Sequence, residues 1–325
     1  MLRLAARILF VFILSAEILC AQPNQMTEAE ALTAIALATN PSTKLAAAED
    51  FINRFPKSSS RIKAAKLVAA EILKVQNGTV AITLVERAQT VFTTDEEREI
   101  FKPVALEAYA TGNRTNDAFK LAAELLAKNP DDLFVLIQMT RAGADEVRKR
   151  NREHAQVALQ YGLQAITLIE ARPKASRVAD DLSNSSSADY TSELGQLYQQ
   201  TAILYLGTGN TEEAKARLTK ATTLRPDDPS NYALLGRVMH ADYVKQMEAC
   251  EALPEGKPKQ ETLKRLDALL DPIIDAYARA AGLALGRPEY QQLMQQVIPD
   301  LTTYYKYRNN KSTNGLQQLI NKYRR

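Results

Sequence analysis

One stretch, residues 195–228, constrains the fold more than any other, because its apolar spacing and its turn residues agree. A first helix is predicted to end at Gly207 and Gly209, since glycine adopts the left-handed backbone that a helix end requires. Asn210 is a candidate N-cap for a second helix over residues 211–224, which Pro226 closes. Small and bulky residues recur on the facing sides, at Tyr198, Ala202, Tyr205, Ala214, Leu218 and Ala221. The stretch therefore predicts two closely packed antiparallel helices.

In this register the stretch resembles a tetratricopeptide repeat, a helix pair of roughly 34 residues. The positions of the family's pattern are filled in order by Tyr198, Ala202, Tyr205, Gly209, Ala214, Leu218, Ala221 and Pro226. Tyr198 stands where the family usually has Trp, and either ring can bridge two helices. A second unit opens at Tyr232, Leu235 and Gly236. The resemblance implies a solenoid of stacked helix pairs, whereas the residues alone also allow an ordinary helical hairpin.

The composition extends the helical prediction to the whole chain. Apolar residues make up 46% of the sequence, aromatic residues only 6%, and the 12 glycines are few for a protein of sheets and turns. Amphipathic segments separated by Pro, Gly, Asn and Ser follow one another from Met26, and none alternates as a strand would. We therefore predict an all-α solenoid of stacked antiparallel helix pairs with lengthened C-terminal helices that cap it. Pro103 should kink its helix or delay the start of that helix.

The domain organisation predicted from these patterns has four parts. Residues 1–21 form a signal peptide, and residues 22–171 form N-terminal repeats. Residues 172–189, rich in Ser, Asp and Asn, form an exposed linker loop because they cannot bury enough apolar surface to order themselves. Residues 190–325 form the C-terminal repeats and a helical cap.

The signal-peptide prediction follows from the layout of the first residues. Arg3 and Arg7 precede an apolar run over residues 8–14, and small residues follow near Ala21. This layout predicts an exported chain, periplasmic or secreted. The alternatives are an uncleaved anchor and a lipid anchor at Cys20, although the residues before Cys20 match a lipoprotein signal poorly.

The mature chain offers little for catalysis. Without Cys20 it retains one cysteine, Cys250, which cannot form an internal disulfide and is expected to fill apolar space. The histidines are His154 and His240, and neither stands in an HExxH motif or has metal-ligand spacing. There is no GxSxG or GxGxxG motif. We therefore predict a non-enzymatic chain with no cofactor and no metal, with an envelope hydrolase as the least favoured alternative.

Two further exclusions concern partners. The formal net charge is +3, and about +2 after a leader with Arg3, Arg7 and Glu17 is removed, which is not the balance of a nucleic-acid-binding protein. No segment after the leader is apolar for long enough to span a bilayer.

The solenoid prediction implies a concave groove lined by the first helix of each pair, which can hold an extended peptide. In the register set by Pro226, the candidate residues of this partner-binding groove are Gln196, Gln199, Ile203, Arg237 and His240. The predicted function is thus an exported scaffold for protein–protein interaction in a bacterial cell envelope. The alternative is a structural spacer with no ligand of its own.

The carboxyl end is basic. Six cations follow Asp300 with no acid among them: Lys306, Arg308, Lys311, Lys322, Arg324 and Arg325. Interleaved tyrosines allow this surface to contact an anionic partner such as lipid headgroups, cell-wall polymer or an acidic protein. The alternative is that the tyrosines pack as the solenoid's cap and the cations form its solvated face. The segments AYARAAGLA and YYKYRNNKSTNGLQQLINKYR also resemble exported tetratricopeptide proteins of soil bacteria, a family of no assigned activity.

Overall fold

The structure is a computed structural model that describes residues 26–171 and 187–324. The predicted signal peptide with Cys20, residues 172–186 of the predicted linker, and Arg325 lie outside the described residues. The described part is built from α-helices and one short 3₁₀ helix, Pro288–Tyr290. The α-helices in chain order are α1 Glu28–Leu37, α2 Pro41–Arg54, α3 Arg61–Ile72, α4 Gly78–Val91, α5 Asp95–Thr111, α6 Thr115–Lys128, α7 Leu133–Arg148, α8 Ala155–Ala171, α9 Ser187–Gly207, α10 Thr211–Leu224, α11 Pro229–Glu251, α12 Lys257–Ala284, α13 Gln291–Arg308 and α14 Leu316–Asn321.

The helices stack in two layers. Helices that follow one another in the chain pack together, and from α1 to α9 each odd-numbered helix also contacts the next odd-numbered one. Among the described even-numbered helices, such contact is substantial only between α2 and α4 and between α12 and α14. The odd-numbered helices therefore lie closer together and form the inner layer of the stack. The prediction of an all-α solenoid of helix pairs is confirmed.

The stretch that carried the repeat pattern folds as predicted. Helix α10 has the predicted bounds, Thr211–Leu224, and Asn210 caps it by accepting a hydrogen bond from the Glu213 N–H at 3.2 Å. Gly209, between the two helices, has a φ of +85°. The small residues of the pattern are fully buried where the helices meet, at Ala202, Ala214 and Ala221. Their size allows the two backbones to approach.

Helix α5 begins with a capping box and continues through a proline. Thr94 and Glu97 form a capping box at its start, as their spacing in the sequence indicates. The helix starts at Asp95 and runs through Pro103 to Thr111, so it does not start late. The missing N–H of a proline costs a helix about 3 kcal/mol, and the buried side chains of Phe101 and Val104 on the same helix supply compensating apolar contacts.

The helices before and after the predicted linker pack against each other. Helix α9 begins at Ser187, so the last three residues of the range 172–189 are helical. It packs against both α7 and α8. Its residues Ile203 and Leu204 share an apolar cluster with Phe119 of α6 and Leu159 of α8. The two predicted repeat regions therefore have a common core.

The C-terminal helices are lengthened as predicted. Helices α11 and α12 contain 23 and 28 residues, and α13 packs along α12. Cys250 is buried in their shared apolar cluster, in agreement with its predicted role as a filler. Helix α14 lies across α12 at Gly282, where a Cβ atom would come within 2.5 Å of the Ile320 carbonyl oxygen.

Candidate interaction surfaces

The predicted groove residues on α9 are largely engaged inside the protein. Gln196 is exposed, and Ile203 is only 4% exposed because it belongs to the cluster around Phe119. Gln199 donates a hydrogen bond from Nε2 to Oδ1 of Asn231 at 2.7 Å. Asn231 is fully buried on α11, so the Gln199 side chain joins α9 to α11 instead of pointing to a ligand.

Of the two predicted groove residues on α11, one is exposed and the other contacts a neighbouring helix. Arg237 is exposed. His240 lies within α11, with Nδ1 2.7 Å from the Tyr304 hydroxyl of α13. The two rings meet edge to face, with centroids 5.3 Å apart. His240 therefore links α11 to α13.

The other histidine, His154, contacts two side chains of α6. His154 stacks on Phe119 with a centroid distance of 4.2 Å, and its Nε2 lies 2.6 Å from Oδ1 of Asn116. No group of three or more His, Cys, Asp or Glu side chains in residues 26–171 and 187–324 could hold a metal ion. Within the same ranges, no helix has the length and apolar character needed to cross a membrane.

The inner layer contains a cleft that the sequence did not reveal. Its first part, about 280 Å³, lies between the end of α3 and the helices α5 and α7, and its second part, about 340 Å³, lies between α5 and α7. Thr111 and Arg141 line both parts, which are therefore adjacent. We call this feature the inner cleft; its polar and charged lining consists of Gln76, Glu107, Thr111, Gln138, Arg141, Asp145, Glu146, Arg148 and Lys149.

Two glycines determine where the inner cleft lies. A Cβ atom on Gly78, the first residue of α4, would come within 2.4 Å of the Gly112 backbone nitrogen. The start of α4 and the end of α5 can touch only because both residues lack a side chain. This contact holds the last turn of α5, with Glu107 and Thr111, beside the turn that follows α3.

The charges of the inner cleft are balanced. Arg141 donates from Nη2 to Glu107 Oε1 at 3.2 Å, while Glu107 Oε2 is buried and has no hydrogen-bond partner in the described part of the chain. Arg148 pairs with Asp145, and Lys149 pairs with Glu146 at 3.2 Å. Burial would raise the pKa of Glu146, but the hydrogen bonds from Asn151 and Lys149 outweigh it and lower that pKa.

One end of the inner cleft is apolar. Leu73 lines this end and is 47% exposed, next to Val75 and the buried Val104. The cleft thus combines an accessible apolar contact, amide side chains and paired charges. Such a lining can contact both the backbone and the side chains of an extended peptide.

Register reasoning placed the groove at α9 and α11 because the repeat pattern is clearest there. The sequence contains a weaker indication of the groove at α3, α5 and α7. Pro130-Asp131-Asp132 repeats Pro226-Asp227-Asp228, so the helix-pair pattern also extends towards the amino terminus. In the sequence, Asn77-Gly78 indicates only a turn. Its contact with Gly112 depends on tertiary packing.

The C-terminal cations fall into two groups. Lys306, Lys311, Lys322 and Arg324 are exposed and form no ion pair with the described residues. Arg308 instead binds Asp271 of α12, with Nε 2.9 Å from Oδ1 and Nη2 3.3 Å from Oδ2. The hydrogen bonds that Arg308 donates to Asp271 raise the pKa of Arg308.

Comparison with known proteins gives distant similarities in structure. No protein-family profile and no curated protein matches the sequence. The chain is similar to TTC0263, a thermophilic tetratricopeptide protein of Thermus thermophilus, at 16% identity over 73% of this chain and 99% of that one, with a TM-score of 0.43.

Two longer proteins are also similar in structure. A monomeric IFIT1 mutant with Gppp-AAAA has 15% identity, coverage of 87% of this chain and 55% of that one, and a TM-score of 0.44. A structure of the APC/C hetero-tetramer Cut9–Hcn1 has 14% identity, coverage of 90% and 62%, and a TM-score of 0.27. The chain therefore spans less than two thirds of the length of either of these proteins.

Proposed function

We propose that this protein is a scaffold that binds an extended segment of a partner protein along the inner cleft. The observation that carries the proposal is that the two adjacent parts of the cleft together span three inner helices, α3, α5 and α7, and share Thr111 and Arg141 in their lining. An extended segment meets several helices in turn, so each repeat contributes a few contacts. The helix pairs themselves serve as the rigid support.

The lining favours a partner segment of mixed composition. The apolar surface at Leu73 can take an apolar side chain, and the amides of Gln76 and Gln138 can bond to backbone N–H and C=O groups. Glu107 keeps an acceptor oxygen without a partner in the described structure, and a rotation of its carboxylate would present that oxygen to an N–H donor. Because the charges of the cleft are balanced, a strongly acidic or basic segment gains little there.

The proposed place of action is the envelope of a bacterium, after export. The support for export is the layout of Arg3, Arg7 and the apolar run that follows them. N-terminal sequencing of the protein recovered from fractionated cells tests this part. A start near Gln22 in the exported fraction is expected, and an intact leader on cytoplasmic protein would refute export.

Site-specific photocrosslinking in cells that express the full sequence tests the binding site. A photoreactive amino acid replaces Thr111 in the inner cleft or, as a matched control, Thr167 on α8. Both threonines are exposed, and both donate their hydroxyl to the carbonyl four residues earlier, at 2.9 Å. A discrete adduct from position 111 alone, lost in Arg141→Glu, is expected.

Two outcomes would refute binding at the inner cleft. One is the same adduct pattern from positions 111 and 167, which would show contact without selectivity. The other is the absence of any adduct from position 111 in cells where the protein is folded and exported. The second outcome would leave the structural-spacer alternative as the better explanation.

A further inference from the structure

The last two helices present a surface with an unbalanced positive charge. Between Gln291 and Arg324 the sole acid is Asp300, which is half-buried beside Tyr277. The exposed cations of this region that form no ion pair with described residues are Lys306, Lys311, Lys322 and Arg324, which we call the C-terminal basic surface.

The fold brings Lys306 and Lys311 together. After α13 the chain turns through Asn310 and Lys311, which have φ values of +51° and +65°. The Lys311 N–H then bonds to the Lys306 carbonyl oxygen at 2.7 Å, so both residues belong to one turn. Tyr305 holds the rest of the turn by donating its hydroxyl to the Asn314 carbonyl at 2.7 Å. The side chains that carry the two ammonium groups are therefore attached to neighbouring positions of one ordered turn.

The other two cations are anchored by packing on α12. Tyr323, which lies between Lys322 and Arg324, donates a hydrogen bond to Asp275. The guanidinium of Arg279 lies 4.7 Å from the centre of the Tyr323 ring. These contacts fix the backbone of the terminal segment and leave the Lys322 and Arg324 side chains exposed.

Two acids of α12 beside this surface are already paired with arginines. Asp271 binds Arg308, and Asp275 binds Arg279 at 2.8 Å. The exposed residues of α13 that precede Lys306 carry no charge, and they include Gln292, Gln296, Pro299 and Thr303. The main described neighbours of α13 are α11, α12 and the 3₁₀ helix.

We propose that the C-terminal basic surface binds the face of a membrane that contains anionic lipids. The positive charge attracts any anion. The exposed ring of Tyr307 favours a membrane over other anionic partners. Its ring is 60% exposed and lies between Lys306 and Arg308. A tyrosine ring has an apolar body and a polar tip, and such rings are enriched where headgroups meet acyl chains. This contact uses helices other than those that line the inner cleft, and it does not depend on the function proposed for that cleft.

Flotation with vesicles tests the attachment. The protein, as isolated from cells that express the full sequence, is mixed with vesicles of phosphatidylcholine, either pure or with about one third phosphatidylglycerol. We expect binding to the anionic vesicles alone, and release between about 0.05 M and about 0.5 M salt as the screening length shortens. Binding that is equal for both vesicles, or that is insensitive to salt, would refute the proposal.

Matched charge variants locate the contact. Each basic residue near an anionic surface contributes about a fivefold gain in affinity, so Lys306→Gln with Lys311→Gln should weaken binding by about 25-fold. Lys306→Arg with Lys311→Arg should bind like the original protein. The control is Lys63→Gln with Lys66→Gln, which removes two exposed lysines of α3 and should change nothing. An equal loss in the control would show that net charge alone is responsible.

The absence of Trp from the sequence allows a local readout. Tyr307→Trp introduces a single indole into the proposed contact, and its emission should shift to the blue when anionic vesicles are added. This signal also separates the proposed contact from attachment through residues 1–21, which would leave the indole in water. Flotation without a shift would refute the proposal, as would a shift with a soluble polyanion such as polyphosphate but none with vesicles.

Discussion

Arg61 of α3 and Glu97 of α5 form a two-point ion pair between neighbouring inner helices. Arg61 Nε donates to Glu97 Oε1 at 2.6 Å, and Nη2 donates to Oε2 at 3.0 Å. The Glu97 side chain is 1% exposed, and its Oε2 also accepts the Thr94 N–H at 3.0 Å to complete the capping box of α5. One carboxylate thus holds the start of α5 and the start of α3 together.

Removal of the arginine should strongly destabilise the fold. Arg61→Ala leaves the Glu97 carboxylate buried without its charged partner, which costs about 3–5 kcal/mol of unfolding free energy. The control is Arg54→Ala, because Arg54 and Asp50 form an ion pair that is about half exposed and should contribute little. Urea denaturation of both variants measures the difference. A similar small loss in both would contradict the importance of the buried pair.

Acid should weaken the protein through the same residue. Burial would raise the pKa of Glu97, but the hydrogen bonds from Arg61 and Thr94 outweigh it and hold that pKa below the usual 4.5. A lowered folded-state pKa contributes stability above pH 4.5, and this contribution is lost as the pH falls through the folded-state value. Denaturation at a series of pH values should show this loss in the original protein and in Arg54→Ala. In Arg61→Ala the decline should be smaller, and an unchanged decline would assign it to other carboxylates.

The repeat register can be tested on a single helix. Ala221 of α10 is fully buried in a cluster with Leu197 and Tyr198, whereas Ala216 of the same helix is exposed. Ala221→Phe should lower the unfolding free energy by about 1–3 kcal/mol because the added ring has no space. Ala216→Phe, with the same change in helix propensity, should be close to neutral. Comparable melting temperatures for the two variants would show that the register is wrong.

A close contact between α7 and α8 allows a test by rescue. A Cβ atom at Gly143 would lie 2.2 Å from the Cβ of Ala158, so Gly143→Ala should destabilise the pair by about 1–3 kcal/mol. Combining it with Ala158→Gly removes the clash and should restore part of the loss. A double-mutant cycle of thermal unfolding measures this coupling. Strictly additive effects of the two substitutions would contradict the close approach.

Much of the fold could be predicted because its signals are local. The Asn210 cap, the Thr94–Glu97 capping box and the bounds of α10 each depend on residues within one or two helical turns. Pro103 shows the limit of such reasoning. Its local effect is to disrupt a helix, but the helix continues where packing of Phe101 and Val104 outweighs that cost.

The candidate sites could be predicted less well. Register reasoning identified helix faces, but it could not tell that Gln199 binds Asn231 or that His240 binds Tyr304. Those partners lie 32 and 64 residues away in the chain. The cations at the carboxyl end were visible in the sequence as a cluster. Which of them remain unpaired depended on Asp271, a residue of another helix.

The sequence by itself determined the helical class, the pairing of helices and the small residues between them, because periodicity and capping are properties of neighbouring residues. Tertiary structure alone decided where the stack opens into a cleft and which polar groups stay accessible. Both outcomes depend on contacts between residues far apart in the chain, such as Gly78 with Gly112 and Arg308 with Asp271. A helical pattern specifies which face is buried, whereas the distance between two helices is determined by the side chains that meet there.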